Sequence, residues 1–98
     1  MARFDVHPGA QGRGYLLDCQ ADILSGLDTR VVVPLLPAEG VPRATRLNPV
    51  FQVDGQTVVM STQLIFAIPR NRLNAVVVTL ADEHSEIMNA LDMLFSGY

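Results

Sequence analysis

The stretch from Asp82 to Tyr98 is the one segment of the chain that reads unambiguously as a helix, and it limits what the remainder can be. Successive helical steps bring Ile87, Met88, Ala90, Leu91, Leu94, Phe95 and Tyr98 onto one broad face. Ser85, Asn89, Asp92 and Ser96 fall opposite. A helix with one dry side must cover something apolar, and the upstream sequence offers only strands, so the helix is expected to lid a sheet. Asp82 can accept from the free N–H groups of the first turn, with Glu83 and Glu86 also near the positive end of the dipole. Thr79 is an alternative cap. Gly97 stands where a left-handed residue often closes a helix. Because only Tyr98 follows, Ser96, Gly97, Tyr98 and the terminal carboxylate are expected at an accessible surface, open to a partner.

The upstream chain alternates in short periods. Arg3 to His7 is a first strand stopped by Pro8, and the glycine-rich segment from Pro8 to Gly14 is a hairpin loop. Tyr15 to Ala21 resumes as strand, with Leu17 and Cys19 on one face and Leu16 and Asp18 on the other. After a polar connection, Arg30 to Leu36 forms a central strand expected to bend or bulge at Pro34. Pro37 to Asn48, with Arg43 and Arg46, shows no period and reads as a long surface loop. Pro49 to Val53 and Gln56 to Met60 flank Asp54 and Gly55, a pair suited to a two-residue type I′ turn. Leu64 to Ile68 and Ala75 to Leu80 complete the strands. Six or so short antiparallel strands followed by one helix predict a mainly β, barrel-like domain spanning 1–98.

Composition narrows the functional classes. Apolar residues make up 49% of the chain and charged residues only 17%, which leaves apolar surface for a second subunit. A net charge of -3 lacks the broad basic footprint of a general nucleic-acid binder. The single cysteine, Cys19, excludes an internal disulfide and reads as a buried, inert thiol. With His7 and His84 as the only imidazoles, no zinc-ligand spacing exists, so no metal or cofactor is expected. No phosphate-cradling loop or nucleophile elbow occurs, and carboxylates are scattered singly, so the residues alone point to no reaction. Without a signal pattern or membrane-length apolar run, the protein is expected to be soluble and cytoplasmic.

Several segments in order resemble the CcdB family of toxin–antitoxin toxins. They are Phe4 and Val6, the run from Leu17 to Ile23, the run from Arg30 to Leu35, Pro49 with Val50, Met60 with Thr62, and the helix end from Asn89 to Tyr98. The resemblance implies an SH3-like barrel with a small accessory sheet, a C-terminal helix and a homodimer. It implies a protein that binds the A subunit of DNA gyrase, traps the enzyme on cleaved DNA, and is neutralised by a CcdA-like antitoxin. With that antitoxin it would also repress its operon, touching operator DNA only through the complex. The gyrase contacts carried over are Phe4, Ile23, Asp92, Ser96, Gly97 and Tyr98. Gly97, Phe4 and Ile23 match the family pattern, whereas Ser96 replaces a Trp and Tyr98 an Ile, and His7, Ala21 and Asp92 also differ. Two other readings stay open. One is a MazF-like endoribonuclease using Arg30, Arg43 or Arg46 on phosphate; the other is a non-toxic dimer that retains only antitoxin binding.

Overall fold

The computed structural model describes residues 2–9, 12–41 and 43–97, so Tyr98, expected both on the helix face and at the contact surface, lies outside the described residues. Strands β1 (Asp5–Pro8), β2 (Tyr15–Asp18), β3 (Thr29–Pro37), β4 (Val50–Val53), β5 (Gln56–Met60), β6 (Phe66–Pro69) and β7 (Val78–Thr79) precede the helix α1 (His84–Ser96). Every pairing is antiparallel, in the order β4-β5-β3-β2-β1-β7, with β6 on the flank of β3. The sheet curls into a nearly closed barrel whose interior is filled by Val6, Leu17, Val33, Leu35, Val53, Val58 and Met60, and by Ile87, Ala90 and Leu91 of the helix.

β3 organises this sheet, and it does not break at Pro34. On one side it pairs β2 continuously, with Leu16 opposite Pro34. On the other side Thr29 to Val32 pair β6, and Leu35 to Pro37 pair β5. Pro34 falls in the gap between those two partners, and its carbonyl faces that side by accepting from the Ser61 N–H at 2.9 Å. The N–H that proline lacks would therefore have pointed where no strand runs, so a central proline costs the ladder nothing. Pro8 likewise ends inside β1, opposite Tyr15, rather than stopping the strand before it.

The Asp54–Gly55 turn forms as expected, with φ of 52° and 78°, between Val53 and Gln56. At the other end of the chain, Thr79 and not Asp82 supports the entry to the helix: its hydroxyl accepts from the Ala81 N–H at 3.2 Å. Ala81–Glu83 forms a 3-10 turn, and no side chain caps α1 itself. Gly97 closes the helix in the left-handed conformation, with φ of 78° and its N–H donating to the Met93 carbonyl at 3.1 Å. Phe95 departs from the expected face. It is 71% exposed, whereas its neighbour Leu94 is half-buried and Ile87, Ala90 and Leu91 are buried in the core.

Candidate target-binding surface

The site begins with a buried charge. Asp18 was expected on the face of β2 opposite the core residue Leu17, yet both are fully buried. Arg30, on the neighbouring strand, compensates it: Nε donates to Asp18 Oδ2 at 2.9 Å and Nη2 stands 2.7 Å from the same oxygen in a fully buried ion pair. Asp18 Oδ1 accepts from the Gln20 backbone N–H at 3.0 Å. The Gln20 side chain then accepts from the Val31 N–H at 3.2 Å and donates to the Leu24 carbonyl at 2.9 Å. This chain of bonds roots the 3-10 turn Asp22–Leu24 in the two central strands. On that turn Ile23 is 91% exposed, with Leu24 and Leu27 about half exposed beside it.

Arg30 cannot reach an RNA phosphate from this position, which removes it from the ribonuclease reading. Its Nη1 is buried without an acceptor, so the guanidinium is committed to the interior.

A second set of contacts ties the same turn to the start of α1. The Arg3 backbone N–H donates to Asp22 Oδ1 at 2.8 Å, while the Arg3 guanidinium lies 4.7 Å above the Phe4 ring. His84 meets that ring edge-on at 5.4 Å, and its Nδ1 is 3.5 Å from Arg3 Nη2. Phe4 itself is 2% exposed and has φ of 73°, a left-handed conformation disfavoured for a bulky side chain. It is held there by its N–H to the Asp18 carbonyl at 2.5 Å and by its carbonyl, which accepts from the Leu80 N–H at 2.8 Å. Phe4 therefore cannot present its ring to a partner in this conformation; it wedges the Ile23 turn against the helix.

Of the other expected contacts, Asp92, Ser96 and Gly97 are exposed. Asp92 and Ser96, one helical turn apart, belong to a solvent-facing stripe that also contains Asn89, and the exposed ring of Phe95 borders it. The contacts of Arg3 and His84 around Phe4 were not legible in the sequence, since they depend on its left-handed backbone. Periodicity places Phe95 on the apolar face, but its ring is exposed.

Cys19 lies beneath this region, half-buried. Desolvation, helped by the Asp18 carboxylate and opposed by Arg3, pushes its thiol from an ordinary 9.0 up to about 12. The thiolate is the reactive form, so at pH 8 the native protein is expected to alkylate with iodoacetamide about 1,000-fold more slowly than the urea-unfolded chain. The unfolded thiol ionises first, so stability carried by this group is present below about pH 9 and is lost as pH rises towards 12. Equal alkylation rates in both states would show that the thiol is accessible.

An open groove of about 280 Å³ lies between the long loop and the helix, lined by Arg43, Thr45, Arg46, Pro49, Val50, Glu86 and Asn89. Arg43 is oriented by its Nε, which donates to the Asn48 carbonyl at 3.1 Å. Among the described residues no cluster of metal-ligating side chains occurs, and no helix is long and apolar enough to cross a membrane.

Structural comparison finds the same fold in toxins. A mycobacterial endoribonuclease, determined with its cognate antitoxin, superposes with a TM-score of 0.78 at 14% identity, covering 96% of this chain and 93% of that one. The Mycobacterium tuberculosis toxin MazF-mt6 gives 0.73 at 17% identity, with 93% of each chain covered. A further toxin, from Mtb, gives 0.75 at 18% identity, with 93% of this chain and 99% of that one covered. Curated protein sequences give no match. A family description, CcdB protein, matches residues 3–97, and that span takes in both the Ile23 turn and the exposed end of the helix. The chain therefore belongs to the CcdB family of toxins.

Proposed function

We propose that this protein is the toxin of a type II toxin–antitoxin module and acts, as a homodimer in the cytoplasm, by binding the A subunit of DNA gyrase and trapping its cleaved-DNA complex. A CcdA-like antitoxin neutralises it, and the two together repress their operon. The observation that carries this reading is the family match over residues 3–97, in a chain that leaves Ile23 and the Asp92–Ser96–Gly97 helix end exposed. The surface needs no catalytic chemistry, because it works by occupying its target.

By the resemblance, Ser96 stands where the family carries Trp, and an interfacial Trp can supply about 2 kcal/mol or more as an anchor. Ser96→Trp is accordingly expected to tighten binding to a gyrase A fragment about 30-fold, as read by titration calorimetry. Deleting Gly97 and Tyr98 is expected to abolish growth inhibition and gyrase binding while shifting the melting temperature by no more than a few degrees. Absence of gyrase binding by the intact protein, with no gain in the Ser96→Trp variant, would exclude gyrase as the target.

The ribonuclease reading draws support from one feature of the groove. Arg43 and Arg46 share it with Glu86, which sets a carboxylate near two phosphate-binding cations. In the gyrase reading, single-stranded RNA incubated with the protein stays intact. Site-specific cleavage lost in Glu86→Gln would move the assignment to the endoribonucleases.

A further inference from the structure

The sheet ends on one side at β4, which among the described residues pairs β5 and no other strand. The Met60 N–H donates to the Pro49 carbonyl at 2.9 Å, and with Phe51 opposite Val58 this turns the main-chain groups of Pro49, Phe51 and Val53 toward β5. Such groups alternate along a strand, so the N–H and C=O of Val50 and Gln52 face the open side. Among the described residues no main-chain or side-chain group meets them there. Soluble proteins usually blunt an edge of this kind with a charge, a proline or a covering loop, yet Val50 to Val53 carries neither charge nor proline.

This edge borders a trough. The groove of about 280 Å³ beside the long loop meets a second hollow of about 290 Å³ at Val50, which lines both, and together they run along β4 with α1 and the turn before it as the facing wall. Pro49, Phe51 and Leu80 supply apolar surface between the ends. The ends differ in charge: Arg43 and Arg46 stand where β4 begins, and Glu83 stands beside Gln52. Arg43 is held in line with the edge, because its Nε donates at 3.1 Å to the carbonyl of Asn48, two residues ahead of Val50. Among the described residues Arg43, Arg46 and Glu83 take part in no ion pair. Glu86 shares the arginine end without pairing either guanidinium, so that end keeps a positive balance.

An extended peptide satisfies all of these groups at once. Its main chain bonds Val50 and Gln52, its apolar side chains cover the middle of the trough, and a carboxylate receives the forked donors of an arginine. Charge fixes its direction. A strand added antiparallel to β4 brings its later residues to the place where β4 begins, so the carboxylate belongs at the peptide's C-terminal end and a basic residue upstream of it meets Glu83. We propose that the β4 edge is a docking groove for the extended, acidic C-terminal segment of a partner protein, added antiparallel to β4 with its carboxylates at Arg43 and Arg46. Neither the gyrase nor the antitoxin assignment enters this reading, so its failure leaves both untouched.

The test uses the full chain and a short fluorescent peptide of alternating valine and threonine, with lysine before them and glutamate at a free C-terminus. Saturable binding is expected in fluorescence anisotropy. The same residues in reverse order put lysine at the arginines and are expected to bind about tenfold more weakly. Gln52→Pro removes the N–H that faces the trough and leaves the β5 ladder whole, so it should weaken binding about tenfold while the melting temperature moves by no more than a few degrees. Gln52→Ala keeps that N–H and should bind as the unmodified protein does. Arg46→Glu, at an exposed position, gives an independent reading through charge and should also weaken binding about tenfold. No binding to the unmodified protein, or equal binding by Gln52→Pro and Gln52→Ala in folded samples, would overturn the proposal. Equal affinity for the forward and reversed peptides would overturn the assigned direction and the acidic C-terminus with it. Displacement of the peptide by an equimolar amount of single-stranded RNA would give the groove to nucleic acid and refute the proposal.

Discussion

Arg30→Met is expected to cost about 3–5 kcal/mol, a large share of the roughly 5–15 kcal/mol that holds a domain of this size together. The reason is the neighbour it abandons. Asp18 has no exposed surface, so without Arg30 its carboxylate keeps, among the described residues, only the Gln20 N–H and is left as an unpaired polar group in the interior. Removing both charges in Asp18→Leu/Arg30→Met is expected to recover most of that loss, because it deletes the desolvation cost together with the attraction. Urea unfolding should show this ordering as a large drop in midpoint for the single variant and a small one for the double, at constant slope. Comparable midpoints for the two variants would mean that Asp18 finds another partner. Since Asp18 and Gln20 also anchor the Ile23 turn, the single variant is expected to lose that turn's hydrogen-exchange protection first.

Phe4 gives the second large effect, with an unusual ordering of variants. Phe4→Ala empties a buried aromatic site and should destabilise by about 3–5 kcal/mol. At most positions glycine is worse than alanine, because it gives up more chain entropy on folding. At φ of 73° the preference reverses: alanine keeps the left-handed strain that glycine relieves, so Phe4→Gly should be about 1 kcal/mol more stable than Phe4→Ala. Thermal unfolding of the pair measures this directly. If alanine proves better, the backbone at residue 4 relaxes out of the left-handed region once the ring is gone. Either variant removes the ring packed between Arg3 and His84 and leaves the Ile23 turn tied to the helix through Arg3 alone, so target binding should weaken.

Local chemistry was what the sequence expressed best. Asp54–Gly55 announced its turn, and Gly97 its helix end, because each requirement is met within a few residues. The place of Pro34 in the gap between β6 and β5 depends on where other strands stop, which residues near it cannot reveal. The pairing of Asp18 with Arg30 was not legible for a related reason: it joins residues of two different strands. The candidate contacts divide in the same way. Ile23, Asp92, Ser96 and Gly97 are exposed, whereas Phe4 is enclosed through a backbone conformation that no residue-type preference would suggest.

The position of β3 has a kinetic consequence. Among the described residues it is the one strand that pairs three others, and two of them, β5 and β6, lie far downstream in the chain. The β1–β2 and β4–β5 hairpins and the helix can form from neighbouring residues alone. The β2–β3 pairing spans the Ile23 turn, and the β3–β6 pairing must close a loop that encloses the whole hairpin. Loop closure of that kind precedes any return from burial, so the barrier to folding should consist mainly of β3 waiting for its downstream partners, on the millisecond-to-second scale of β-barrels. During that wait β3, with its run of three valines, is the segment most exposed to pairing with another chain.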